Sequence, residues 1–168
     1  GTFEPISDMA GGGPFNLEPG QWTDDTSLAL CLAESLIESK EFNPIDQLER
    51  YVRWWKEGYL SSNGTCFDIG GTTRYSLQKF INTREPYTDL NSPDRAGNGS
   101  LMRLAPIPLF YEKDPENAII KAGESSKGMM DSIFAPIAEV ITKVNTGIEA
   151  ITEFDKKVTE YTSFATNM

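Results

Sequence analysis

Between Leu28 and Ile37 the chain is almost continuously apolar, and its apolar positions recur at helical spacing. Leu28, Cys31, Leu32, Ser35 and Leu36 fall on one stripe, which Leu30 and Ile37 widen. The pattern predicts a mostly buried helix that ends near Ser39. Pro19-Gly20 stops whatever precedes it. Thr23 or Asp24 then supplies the N-cap, because a short side-chain oxygen accepts from an unpaired N–H of the first turn. Residues 1–21 hold Pro5, Gly11, Gly12, Gly13, Pro14, Pro19 and Gly20 and read as loop. The Gly-Gly-Gly run does not read as a phosphate loop, since no strand pattern precedes it and no Gly-Lys-Ser/Thr follows.

Asn43-Pro44 starts a second helix, with Pro44 in a first-turn position and Ile45, Leu48, Tyr51, Val52 and Trp55 spaced by three and four. Trp54 and Trp55 read as core or groove wall. Gly58 to Gly64 is a polar loop, and Phe67 to Gly71 is a short glycine turn. Thr72 or Thr73 opens another helix, to which Tyr75, Leu77, Phe80 and Ile81 bring apolar contacts. Tyr87 to Gly99 reads as loop. Leu101, Met102, Leu104, Ala105, Ile107, Leu109, Phe110 and Tyr111 predict a buried segment that Pro106 and Pro108 keep from forming one long helix. Asp114-Pro115-Glu116 starts a helix through Ala122. With no alternating runs long enough for a sheet, the fold class is all-α.

The character changes after Lys127. All six arginines and all three tryptophans lie earlier. From Ile133 through Ile137, Val140, Val144, Ile148, Ile151, Phe154, Val158 and Tyr161, apolar residues step by three and four, an amphipathic pattern close to a heptad seam that Gly147 interrupts. Such a segment either closes the domain's core or forms an oligomerisation seam.

Composition narrows the partners. The 168 residues carry 15 basic against 25 acidic side chains, a net charge of −10, which argues against a nucleic-acid surface. Histidine is absent, so dyads and triads that need imidazole are excluded. Cys31 and Cys66 do not make a disulfide framework, and Cys31 reads as a small core residue. No apolar run approaches the 18 or so residues of a membrane span and no signal peptide stands at the start, so a soluble, cytoplasmic setting is expected. Gly1 opens what reads as the middle of a loop, and the start is expected to be missing or trimmed.

Thr23, Asp24 and Asp25 put three oxygen-bearing side chains in a row at the mouth of the apolar helix. One reading is helix capping, since acids at an N-terminus are favoured by the dipole. The other is a site for a hard cation with oxygen ligands, Mg²⁺ or Ca²⁺. Asp68 in the glycine turn likewise reads either as a turn former bonded to its own backbone or as a site residue.

The Trp22-Thr23-Asp24-Asp25-Thr26 stretch resembles the first metal motif of the ADP-ribosylglycohydrolases. Ile6 to Gly13 resembles the glycine-rich approach to it, Phe67 to Arg74 the second motif, Ala96 to Pro106 the third, and Ala122 to Ser126 the approach to a fourth. The resemblance covers residues 1–127, a partial domain of that family, and leaves 128–168 as a divergent helical tail packed on the same core. It implies an orthogonal helical bundle, here a truncated version of the family fold. It also implies hydrolysis of an N- or O-glycosidic bond at the anomeric carbon of ADP-ribose, on a modified protein or a small molecule, with two Mg²⁺ ions. By the resemblance Thr23, Asp24 and Asp25 are metal ligands, and Asp68 is the catalytic residue that contacts the ribose or takes a proton from the nucleophile. Asn98, Gly99 and Ser100 approach the phosphates. Met102 reads as core, and Arg103 as the partner of a buried acid.

Three parts of the family pattern have no match. The N-terminal Gly-Asp-Ala-type helix is expected to precede Gly1. No Thr-His pair follows Ser126-Lys127, where Gly128-Met129-Met130 stands. No Asp-x-Asp-Thr motif occurs in residues 128–168. One Mg²⁺ or none is therefore expected to bind well, and activity is expected to be reduced. The alternative is a non-catalytic ADP-ribose-binding or helical interaction protein derived from the family.

Overall fold

The computed structural model describes residues 7–87 and 99–127. The tail, residues 128–168, lies outside the described residues, as does Asn98. Among the described residues five helices follow one another: α1 Asp24–Ser39, α2 Pro44–Glu57, α3 Gly71–Thr83, α4 Pro106–Phe110 and α5 Pro115–Lys127. No strand occurs among the described residues. The only pairing of that kind is one antiparallel bridge, Gly12 with Leu17, inside the N-terminal loop. The chain is all-α, as its periodicity predicts.

α1 is the central element. It packs on α2 and α4; α2 also meets α3, and α4 meets α5. The stripe Leu28, Cys31, Leu32 and Leu36 is buried against Leu48, Tyr51 and Trp54 of α2, Leu77 and Phe80 of α3, and Ile107 of α4. Each fully buried side chain of this kind contributes roughly 1.5–3 kcal/mol. Cys31 is fully buried, and desolvation pushes its thiol up to about 12. Both cysteines are free.

The apolar stripe of α1 is narrower than predicted. Leu30 is half-exposed and Ile37 is 65% exposed, because no described element covers that side. The Leu101–Tyr111 stretch departs further from its prediction. Of its apolar residues only Ile107 is fully buried, while Leu101, Leu109 and Phe110 are exposed. The two prolines confine α4 to five residues, so it lays one apolar side chain on the core and leaves its neighbours facing out. Ala33, Leu36, Ile37, Pro106, Leu109 and Phe110 line a groove of about 300 Å³ between α1 and α4. Trp54 belongs to the core. Trp55 is half-buried, with the Lys56 ammonium 3.5 Å above its ring. Tyr75 is half-exposed, and α5 runs past Ala122 to Lys127.

α2 has the best-defined ends. Asn43 Oδ1 accepts from the N–H groups of Ile45 and Asp46, each at 3.1 Å, and Pro44 holds N1, where no N–H is needed. At the other end Gly58 takes φ 70°. Its N–H donates to Trp54 O at 3.0 Å, the bond of a left-handed cap, and the Tyr59 N–H donates to Arg53 O at 3.5 Å. Tyr59 then returns its hydroxyl to both carboxylate oxygens of Glu34, at 2.8 and 2.7 Å. Arg50 pairs with Glu34 as well as with Asp46. Helix α1, helix α2 and the loop after it are thereby tied at one place.

Gly58 is also a point of closest approach. A Cβ there would stand 2.0 Å from the carbonyl oxygen of Gly64, whereas Gly64, at φ 77°, has open space around its Cβ direction. Both Gly→Ala variants carry the left-handed penalty of roughly 1–2 kcal/mol, and only Gly58→Ala adds overpacking of about 1–3 kcal/mol. In urea unfolding, Gly64→Ala is expected to lose only the first contribution and Gly58→Ala about twice as much or more, at unchanged m. Equal losses would show that the loop yields freely.

Candidate functional site

The buried stripe of α1 fixes where its first turn must lie, and that turn is acidic. Thr23 is the N-cap, with extended backbone, but its side chain makes no capping hydrogen bond. Its carbonyl accepts the first bond of the helix, from the Ser27 N–H at 3.2 Å, and a second from Ser27 Oγ–H at 3.1 Å. The threonine hydroxyl is therefore not committed to the helix. Asp24 turns inward and is 8% exposed, whereas Asp25 is exposed.

Asp24 is the most perturbed acid of the described residues. Burial, then the negative charges of Asp68 and Asp25, raise its carboxyl from 3.8 to about 6, against a smaller opposing effect from the backbone N–H groups of Asp25 and of Asp24 itself. Among the described residues no cationic side chain figures in the largest influences on it. Carboxylates held together without a counterion are the arrangement that a cation relieves.

Asp68 enters this group from the turn before α3. It is exposed and takes φ 58°, a left-handed conformation that Asp tolerates better than most residues. Its Coulombic coupling to Asp24 places it at the N-terminal end of α1. Cys66 lies in the same neighbourhood. Burial and the Asp24 charge raise its thiol, and Arg74 works against them. The surroundings are pinned by long-range bonds: Trp22 Nε1–H donates to Leu60 O at 3.4 Å, Ser62 Oγ–H donates to Trp22 O at 2.7 Å, and the Phe15 and Phe67 rings meet edge to face at 5.4 Å.

The fold thus brings Thr23, Asp24 and Asp25 together with Asp68, residues that lie more than 40 positions away in the chain. Among the described residues no three acidic, thiol or imidazole groups gather closely enough to hold an ion by themselves. Asp24, Asp25 and the Thr23 hydroxyl, which makes no capping bond, are oxygen donors of the chemical kind a hard cation takes.

Gly99 and Ser100 form the turn that leads into Arg103, and Ser100 is 2% exposed. Met102 is half-buried against the core. Arg103 departs from its sequence reading, because no carboxylate among the described residues pairs with it. Fully buried, it donates from one terminal nitrogen to Tyr51 Oη and Ser125 Oγ, each at 2.8 Å, and from the other to Ser125 O at 3.0 Å. Gln47 Nε2 reaches the same two hydroxyls at 2.9 and 3.0 Å. Sequence reasoning missed Gln47, Tyr51 and Ser125 as a polar cluster. Gln47 and Tyr51 stand four apart on the buried face of α2, the spacing that could have exposed them.

Comparison with known proteins matches this geometry to one family. The model of the ADP-ribosylglycohydrolase family covers residues 2–130. The chain is 43% identical over 121 residues to the ADP-ribosylarginine hydrolase Tri1 of Serratia proteamaculans, covering 72% of this chain and 33% of that protein. It is 34% identical over 104 residues to the ADP-ribosyl-[dinitrogen reductase] glycohydrolase of Rhodospirillum rubrum, covering 60% of this chain and 32% of that protein. Among solved structures, an ADP-ribosylglycohydrolase-related protein complex superposes with a TM-score of 0.61 at 42% identity, over 79% of this chain and 41% of that one. The chain spans about a third of the length of these curated relatives. The acidic first turn of α1, the left-handed Asp68 and the Gly99–Ser100 turn all lie inside the matched stretch, and the chain belongs to the ADP-ribosylglycohydrolase family.

Proposed function

We propose that the chain carries the Thr23–Asp25 and Asp68 part of a Mg²⁺-assisted site that hydrolyses the glycosidic bond between ADP-ribose and a modified protein or small molecule. The observation that carries this reading is the raised Asp24 carboxyl, buried beside two other acids and, among the described residues, with no cation among its largest influences. The name of the Serratia proteamaculans relative, an ADP-ribosylarginine hydrolase, favours arginine-linked ADP-ribose as the first substrate to try.

Bound Mg²⁺ supplies positive charge that orients the ribose and lowers the cost of ionising a water. The protein's own groups do the rest. Asp24 and Asp25 hold the charge at the end of a rigid helix. Asp68, exposed on its turn, accepts the proton of the water that attacks the anomeric carbon. The backbone at Gly99 and Ser100 leaves room for the phosphates to come close. Because residues 128–168 contain no Asp-x-Asp-Thr motif, this chain alone offers half of the carboxylates that the family pattern uses. A loss of roughly 4 kcal/mol in charge stabilisation and orientation slows the step about a thousandfold.

Release of labelled ADP-ribose from ADP-ribosylated arginine substrate in millimolar Mg²⁺ tests the reading. The chain is expected to release it about a thousandfold more slowly than a full-length relative, with Asp68→Asn and Asp25→Ala abolishing what remains. Binding of ADP-ribose with no release would favour the non-catalytic alternative. Neither binding nor release would defeat both.

A second expectation concerns stability. The folded carboxyl of Asp24 sits near 6 and the unfolded one near 3.8, so between these values the folded state binds more protons. Stability must fall as pH rises through that window, and the full penalty stands above pH 6. Screening at this partly solvated helix end reduces the penalty to about 1–2 kcal/mol. Asp24→Asn is expected to raise the thermal midpoint at pH 7.5 and to flatten its slope between pH 4 and 6. Mg²⁺ is expected to stabilise the wild type more at pH 7.5 than at pH 4.5 and to leave the Asn variant unmoved. A wild type that Mg²⁺ does not stabilise at pH 7.5 would remove the metal from the proposal.

A further inference from the structure

Among the described residues, Arg103 is a buried cation held only by neutral groups. Its guanidinium meets the hydroxyls of Tyr51 and Ser125 and the Ser125 carbonyl, and it lies 5.0 Å from the centroid of the Tyr51 ring. Its Nε–H has no acceptor. The ion pairs of the described residues use Arg50, Arg53, Arg84 and Lys121, each with a carboxylate, and none of them is fully buried as Arg103 is. Neutral hydrogen bonds satisfy the donors of a guanidinium but leave its charge in place. In a water-poor interior that charge is felt further than it would be at the surface.

Its position in the chain gives this charge a use. Arg103 follows directly on the Gly99–Ser100 turn, and its bonds tie that turn to α2 through Tyr51 and to α5 through Ser125. A molecule of net charge −10 otherwise repels a diphosphate. We propose that Arg103 is a positioning residue. Its uncompensated charge attracts the anionic phosphates of the ligand to the Gly99–Ser100 turn without touching them. The proposal deepens the reading of that turn given above and rests on it.

The hydrogen-bond ring supplies its own control. Gln47 and the guanidinium share Tyr51 Oη and Ser125 Oγ as partners. Both hydroxyl protons need acceptors, and a carboxylate at position 47 would accept them while neutralising the cation. Gln47→Glu therefore cancels the charge in nearly the same shape, Arg103→Gln removes it, and Arg103→Lys keeps it. The probe is inorganic pyrophosphate in metal-free buffer, followed by phosphorus NMR titration, with ADP-ribose and uncharged adenosine as parallel ligands.

Gln47→Glu and Arg103→Gln are each expected to weaken pyrophosphate and ADP-ribose about tenfold and adenosine less than about twofold, the size of a unit charge acting over roughly 10 Å at an effective dielectric of about 20. Arg103→Lys is expected to stay close to wild type. Circular dichroism checks folding, and if Arg103→Gln does not fold, Gln47→Glu decides, because it gives the cation a partner. Unchanged pyrophosphate affinity in Gln47→Glu, equal loss of charged and uncharged ligands, or a wild type blind to pyrophosphate would each overturn the proposal. Pyrophosphate binding without ADP-ribose binding would support it while defeating the functional reading. ADP-ribose binding indifferent to Gln47→Glu would do the reverse.

Discussion

The fold depends on the burial of one face of α1. Leu28, Cys31, Leu32 and Leu36 have no exposed alternative, since each contacts the common core formed with α2, α3 and α4. A helix held that firmly along its length has no freedom at its end. Its first turn is drawn to the edge of the core, and Asp24 is drawn in with it to 8% exposure. The hydrophobic contacts thus hold a carboxylate where it would rather be neutral. Strain of this electrostatic kind is commonly stored at functional sites and offset by packing elsewhere.

Two polar clusters sit on this scaffold and solve opposite problems. Among the described residues, the acids at the start of α1 carry negative charge with no cation prominent beside them, and Arg103 carries positive charge with no carboxylate paired to it. Each is held by groups that satisfy hydrogen bonds and leave the charge. Elsewhere the described residues compensate charge in the ordinary way, as Arg50 does with Glu34 and Asp46. The contrast separates structural ion pairs from charges kept for something outside the folded chain.

Much of this was legible in the sequence. Asn43-Pro44 and Gly58 mark the ends of α2 because capping chemistry is local. The 3.6-residue period of α1 named its buried face correctly, and the motif order identified the family, which the matched residues confirm. What failed depended on partners. Leu30, Ile37, Leu109 and Phe110 are apolar enough to be core, but nothing among the described residues covers them, and composition cannot say so. α3 opens at Gly71 rather than at Thr72 or Thr73, a difference of one or two residues at a fraying end. Thr23 occupies the N-cap without capping through its side chain, while its carbonyl accepts from Ser27. Arg103 was read as half of an ion pair; that its partners would be Tyr51 and Ser125 is a fact about three segments meeting, which no single stretch records.

The two thiols differ in a way that makes the acidic turn observable. Cys31 is sealed in the core with its thiol pushed up to about 12, so an alkylating reagent has no thiolate to attack there while the fold persists. Cys66 is half-buried and feels Asp24 directly. Reaction with the native chain therefore singles out one sulfur, slowly but selectively. A small fluorophore on that sulfur would sit beside the carboxylates without replacing any of them, and its emission would follow their ionisation and the arrival of a cation in real time.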